Sequence, residues 1–183
     1  MAILNSFSLE SNKKIKINWG GGDLSSDGGL LLIKEFAAKI GLIRLIKKHF
    51  KTNDTAAYRL HNDSSNIMQV IYQIISAYFE DDCADELTND SVLSAILEKD
   101  TLASQPTLSR FWNRMDKDTL TQLDTIFIAD AAKWRTLSRS ANPDLIFLLS
   151  AVIQRLLMQT GYRFTRWHII SLPGFDGWRL PQA

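Results

Sequence analysis

Asp63-Ser-Ser-Asn-Ile-Met-Gln-Val-Ile-Tyr-Gln-Ile-Ile-Ser-Ala-Tyr-Phe79 is the stretch on which the fold turns. Its apolar residues Ile67, Val70, Ile71, Ile74, Ile75 and Tyr78 recur at alternating three- and four-residue steps. That spacing predicts a core-facing helix that starts between Asp63 and Ser65 and runs to Phe79. Upstream, Leu30 to Ile40 reads as a helix, with Ser25 or Ser26 as its N-cap and Gly41 as its stop. Leu42, Ile43, Leu45, Ile46 and Phe50 form a second apolar helical face, with Arg44, Lys47 and Lys48 on the other side. Residues 51–63 are polar and turn-rich. Downstream, Asp90 suits the cap of a helix containing Val92, Leu93, Ile96 and Leu97. Ser104-Gln105-Pro106 is a helix start, since proline is tolerated in a first turn. Leu108, Phe111, Trp112 and Met115 mark the buried side of that helix, and Asp116 to Ile126 continues as another.

The two ends differ from this middle. Residues 13–19 alternate polar and apolar, which predicts a short strand with Ile15, Ile17 and Trp19 on one face; Gly20-Gly21-Gly22 breaks it. Beyond Glu98 there is no glutamate, and beyond Lys99 only Lys117 and Lys133 are lysines. From Trp134 onward every basic residue other than His168 is arginine. The chain therefore divides into a strand and glycine-rich turn over 1–22, a helical domain over 23–126 and a divergent tail over 127–183. The predicted class is mostly α, with a short N-terminal strand and an irregular tail.

The 183 residues are 45% apolar and 22% charged, ordinary for a globular chain with a core. A net charge of +1 gives no global pull toward nucleic acid or membrane, so DNA binding would need a local basic patch. Cys83 is the only cysteine, which excludes an internal disulfide and a thiolate zinc site and fits a reducing cytoplasm. Met1 to Asn5 lacks the charged-then-apolar pattern of a signal peptide. The longest apolar run, Leu145 to Ile153, is interrupted by Ser150 and is far shorter than the ~20 residues that span a bilayer. The expected setting is cytoplasmic, without membrane.

Several motifs carry competing readings. The helices near 90–97 and 104–115 have the order of a helix-turn-helix. The second would expose Gln105, Thr107, Ser109, Arg110, Asn113 and Arg114, side-chain types that pair with base edges or phosphate. The plainer reading is an amphipathic helix with an ordinary polar face. Arg44, Lys47, Lys48, His49 and Lys51 can grip phosphates or form a solvated face. Asp81, Asp82, Asp85, Glu86 and Asp90 lack the glycine and spacing of a calcium loop and fit helix caps better than a cation site. The segment from Gly20 to Gly29 lacks the Gly-Lys-Ser/Thr of a phosphate loop and reads as a turn with a helix cap. His49, His61 and His168 are scattered, and the acidic neighbours of Cys83 disfavour a nucleophilic thiolate.

Three segments taken together resemble a known family. They are Asp23-Leu-Ser-Ser-Asp-Gly-Gly-Leu-Leu-Leu32, Tyr78-Phe-Glu-Asp-Asp-Cys-Ala-Asp-Glu-Leu87 and Leu102-Ala-Ser-Gln-Pro-Thr-Leu-Ser-Arg-Phe111. In this order they resemble the amino-terminal part of insertion-sequence DDE transposases of the IS-thirteen-eighty type, over roughly residues 15–126. The resemblance implies a helical N-terminal region followed by an RNase-H-like core in which three carboxylates hold Mg²⁺ for phosphoryl transfer. It implies DNA, the element's terminal inverted repeats, as a partner, with a second copy or full-length transposase as further partners. In the family an apolar strand leads at once into Asp-Leu-Asp-Ser-Thr. Here Leu145-Ile146-Phe147 leads into Leu148-Leu149-Ser150-Ala151, so no catalytic residue and no metal ligand carries over.

A frameshift accounts for such a departure. Trp178-Arg-Leu-Pro-Gln-Ala183 can be encoded so that a shifted frame spells Gly-Asp-Phe-Leu-Lys, which resembles the family sequence after a Phe-Asp-Gly like Phe175-Asp176-Gly177. Three functions follow as expectations. The first is a transposase fragment with DNA-binding or assembly elements and no catalysis of its own. The second is a regulatory fragment that represses transposition. The third is a metal-dependent strand-transfer enzyme with other acids, for which Asp130, Asp144 and Asp176 are the late candidates.

Overall fold

A computed structural model describes residues 6–18 and 27–126, apart from Ala57, Asp81 and Asp124. Trp19, Gly20 to Gly22, Ser25, Ser26, the late aspartates and the whole 127–183 tail lie outside the described residues. The architecture is helical with one small sheet. Strands β1 (Ser6–Ser8) and β2 (Lys16–Asn18) form an antiparallel hairpin in which Phe7 faces Ile17. Six helices follow: α1 (Leu30–Ile40), α2 (Leu42–His49), α3 (Asp63–Ile75), α4 (Cys83–Glu86), α5 (Ser91–Leu97) and α6 (Gln105–Trp112). Residues 117–123 are also helical. None of these helices is long and apolar enough to cross a membrane.

Helix α3 is the centre, as its periodicity requires, but its burial exceeds one stripe. Every residue from Asn66 to Ile74 is buried, including Asn66, Gln69 and Gln73. A helix apolar on one face and amide-bearing on another, yet buried on both, must hydrogen-bond those amides inside the protein. Gln69 does so through both its nitrogen and its oxygen, whereas Asn66 Oδ1 and Gln73 Nε2 find no partner among the described residues. Its Nε2 donates to the Ala103 carbonyl and its Oε1 accepts the Ala103 N–H, both at 2.8 Å. Leu102 N–H donates to the Thr88 carbonyl at 3.2 Å. The connection between α5 and α6 thus runs buried through Leu102 and Ala103, with the Ala103 backbone paired by a side chain of α3 and the Leu102 N–H by the Thr88 carbonyl.

The helix ends follow local chemistry. Asn62 caps α3 through the Ser65 N–H at 2.8 Å, and Asp90 caps α5 through the Leu93 N–H at 2.7 Å. Gly41 closes α1 in the left-handed region at φ 80°. The expected cap of α1 at Ser25 or Ser26 is displaced: the helix begins after Gly29, on a turn in which Leu30 N–H bonds the Asp27 carbonyl. Helix α3 also stops four residues before Phe79. Ala77 takes φ 66°, and Ala77 and Tyr78 N–H groups turn back onto the carbonyls of Ile74 and Gln73. That pair of bonds is a helix-stop motif whose left-handed position normally holds glycine, which hid the stop from the sequence. The four-residue α4 inside the acidic run and strand β1 are likewise additions to the sequence reading.

Two charged side chains of α1 are buried for identifiable reasons. Lys34 Nζ reaches the end of α5, bonding the Ala95 carbonyl at 3.3 Å and Glu98 Oε1 at 2.8 Å. A cation at a helix C-terminus complements the orphan carbonyls there. Glu35 accepts from the Ser11 hydroxyl at 2.6 Å and amide at 3.0 Å, which fastens the hairpin to α1. Asn12 donates to Glu98 at 3.2 Å and fastens the same hairpin to α5.

The loop from α2 to α3 is braced at its base. Asp63 accepts from the Thr52 hydroxyl at 2.6 Å and the Thr52 amide at 3.0 Å. Arg114 lies 3.2 Å from Asp63 and 3.0 Å from Asp54, with its guanidinium 5.9 Å from the Phe111 ring centre. Arg59 pairs with the same Asp54 carboxylate. Burial pushes the Asp63 carboxyl up, but the Thr52 bonds and the Arg114 charge outweigh it and hold the group below the usual carboxylate range.

Three outcomes follow from this packing. Gln69→Leu leaves the buried Ala103 N–H and carbonyl unpaired and should lower stability by about 2–3 kcal/mol in chemical denaturation. Ala77→Gly relieves the left-handed strain and should raise stability by up to ~1 kcal/mol in the same measurement. Because the folded Asp63 pKa lies below its unfolded value, its contribution is present above the unfolded pKa and is lost as pH falls through the folded one. The stability gap between the parent and Asp63→Asn should therefore be widest at neutral pH and close in the acid range below about pH 4.

Candidate nucleic-acid interface

Helix α6 is positioned from three sides. At its N-terminus the Asp85 carboxylate of α4 accepts the Gln105 N–H at 2.8 Å. On its inner face Leu108 and Phe111 are fully buried, and the Phe111 ring packs on Phe50 at 6.1 Å between centres. At its C-terminal side Arg114 is held by Asp54 and Asp63. The acidic run therefore caps helices, as its composition suggested: Asp85 serves α6 and Asp90 serves α5.

The outer face of α6 presents Gln105, Ser109 and Asn113, four residues apart and hence in one row. With Phe79, Glu80, Asp82 and Trp112 they line an open depression of about 590 Å³. Arg110 is exposed beside this row. Thr107 is half-buried, its hydroxyl 3.2 Å from that of Ser104. Arg114 belongs to the internal ion pairs, so its guanidinium is already engaged in the fold. Arg110 and Asn113 are the exposed members; Gln105 and Ser109 are half-buried like Thr107 but open onto the depression, so these four can meet an outside ligand. Glu80 and Asp82 on the opposite wall repel phosphate but can accept from an amino group on a base edge.

Helices α5 and α6 do not form each other's main packing partner. Helix α5 lies chiefly on α1 and α3, and α6 on α3 and α4. The pair is joined through the Gln69–Ala103 clamp.

The basic residues of α2 form a separate surface. Arg44, Lys47 and Lys48 are exposed at steps of three and one, which places them on one side of the helix, and Lys51 is exposed just past its end. Their burying partners are Leu42, Ile46 and Phe50 on the other side. Lys47 lies within electrostatic reach of Glu98, whose carboxyl is held below its usual range chiefly by the Lys34 hydrogen bond. Among the described residues Arg44 and Lys48 have no ion-pair partner.

Neither a nucleophile nor a metal centre assembles among the described residues. No group of three His, Cys, Asp or Glu side chains there is placed to hold an ion. His61 Nδ1 lies 2.9 Å from Lys99 Nζ, and burial followed by the Lys99 charge lowers the imidazole pKa. His49 is exposed on the basic side of α2. Sequence reasoning passed over Tyr58 and Leu60, both exposed in the α2–α3 loop; their only signal was apolar side chains in an otherwise polar stretch. It also passed over Phe79 and Trp112 as walls of the depression; Trp112 packs partly buried against the core, as its place on the buried side predicts, and lines the depression as well.

No curated protein and no solved structure matches the chain. A family model described as "Transposase DDE domain group 1" matches residues 7–146, which takes in every described helix and well over half of the 183 residues. The chain belongs to that DDE transposase family.

Proposed function

We propose that this helical region is the DNA-binding and assembly part of an insertion-sequence transposase of the IS-thirteen-eighty type, acting on the element's terminal inverted repeats without strand chemistry of its own. The observation that carries the reading is the row Gln105, Ser109 and Asn113 with Arg110 on a helix fixed at both ends. Amides and a guanidinium on a rigid helix are the groups that read base edges in a major groove. The exposed cations of α2 supply sequence-independent affinity for phosphate.

Asp85 and Asp90 cap helices, and Asp54 and Asp63 pair with arginine, so these carboxylates do not fit the Mg²⁺ that the family uses. Fragment status rests on the departure at Leu148 from the family's acid-bearing segment. The nucleotide sequence of the gene tests the frameshift: family-like codons in a shifted frame beyond that point support it, and their absence removes it.

Binding of the purified chain to labelled inverted repeats and to scrambled duplex, across a salt series, tests the DNA reading. A preference for the repeats is expected. Arg110→Ala and Gln105→Ala should each lower the specific affinity about tenfold and leave scrambled binding nearly unchanged. Lys47→Ala and Lys48→Ala should weaken both and each reduce the salt slope by about 1. Equal binding to both duplexes by all variants would overturn the assignment of α6. Mg²⁺-dependent cleavage of the repeats by the purified chain would instead favour an intact enzyme with acids in the tail.

A further inference from the structure

His61 stands two residues before α3, and Lys99 two residues after the end of α5. The fold brings them together: Lys99 Nζ lies 2.9 Å from His61 Nδ1, across 38 positions of sequence. Both side chains are half-buried.

This contact joins two bases, where the comparable ones in the domain join a base to an acid. Among the described residues, the lysines and arginines that are not fully exposed are Lys34, Arg59, Lys99 and Arg114. Lys34 meets Glu98, Arg59 meets Asp54, and Arg114 meets both Asp54 and Asp63. Lys99 meets no carboxylate among the described residues. The neighbouring acids are engaged elsewhere: Glu98 holds Lys34 and Asn12, Asp63 holds Thr52 and Arg114, and Asp54 holds the two arginines. Asp100 is exposed, as are Lys51 and Tyr58 of the α2–α3 loop. Helix α5 carries no charged residue, and α3 carries only Asp63 and the buried Tyr72 as titratable groups. Burial, then the Lys99 charge, lowers the His61 pKa; burial lowers that of Lys99.

A hydrogen bond between two basic nitrogens has room for one proton. While Nζ and Nδ1 share it, the pair carries at most one positive charge, and charging both groups breaks the bond. A half-buried cation without a counter-charge is unfavourable, and an anion removes the penalty. A phosphate oxygen placed between the two groups can accept from the Lys99 ammonium and from a protonated imidazole. Both bases are then charged, and both are paired.

We propose that His61 and Lys99 form a phosphate site, filled by a phosphodiester of bound DNA, and that filling it draws one proton from solvent onto His61. No covalent bond changes. This rests on the proposed DNA-binding function and adds to it a contact outside α2 and α6 and a dependence on pH. The amides, arginine and lysines of those two helices keep their charge near neutrality; His49 on α2 is the exception and serves as a control.

The test follows the histidine ring signals of the whole chain by NMR across pH, free, with the inverted-repeat duplex, and with inorganic phosphate. The His61 signal is the one that His61→Gln removes. Its titration midpoint should rise by about one pH unit when duplex binds, and less with inorganic phosphate. Because binding takes up a proton, duplex affinity should fall about tenfold as pH rises through the interval between the free and bound midpoints. His61→Gln should abolish that part of the pH dependence, and His49→Gln should leave the His61 response unchanged. Lys99→Gln should abolish the rise, and Lys99→Arg should restore it. A rise with inorganic phosphate but none with duplex would keep the phosphate site and remove DNA as its source. Duplex binding with no rise from either ligand, or an equal rise in Lys99→Gln, would overturn the site and leave the DNA-binding reading standing. No duplex binding and no rise would overturn both.

Discussion

The paired hydrogen bonds between the Gln69 side chain and the Ala103 backbone are the constraint on which the rest of the domain depends. A connection of seven residues separates α5 from α6, and its buried end at Leu102 and Ala103 has no strand or helix of its own to complete its backbone bonding. In a dry interior such a segment is stable only if something else supplies a donor and an acceptor in the right places. One amide on the central helix supplies both. Because α3 is packed on α2, α5 and α6, the clamp fixes α6 relative to the same core that carries the basic helix. The outward row on α6 therefore inherits its position from a residue that no ligand could touch.

Electrostatics divides the surface despite a chain that is nearly neutral. The acids near α6 are used at its N-terminus and along one wall of the depression, while the cations of α2 stand clear of them. On the proposed DNA-binding reading, a phosphate backbone is attracted by α2 and repelled by the acidic wall, so charge would set an orientation as well as an affinity. A net charge of +1 conceals this, because the sum is blind to where the charges are spent.

Much of the helical frame was legible beforehand. The apolar spacing gave α3, the glycine stop gave the end of α1 at Ile40, and Ser-Gln-Pro gave the start of α6, because each is a local preference written in consecutive residues. What escaped was non-local. The stop at Ala77 depends on a residue adopting a backbone conformation it normally avoids. The burial of Gln69 depends on a partner 34 positions away. Arg114 looked like a contact residue because helical spacing put it on a polar face, and only the fold brings Asp54 and Asp63 against it. Of the candidate interface, residue types and helix face could be read from sequence, but which arginines remained free could not.

Arg114 also makes two distant pieces of chain mechanically one. Its guanidinium sits just past the C-terminal end of α6 and grips both ends of the α2–α3 loop. A force or a substitution that shifts the loop is therefore felt at the helix, and a tilt of the helix is felt at the loop. The base of the loop and the end of α6 thus share one guanidinium, so the positions of two elements far apart in sequence are coupled through a single side chain.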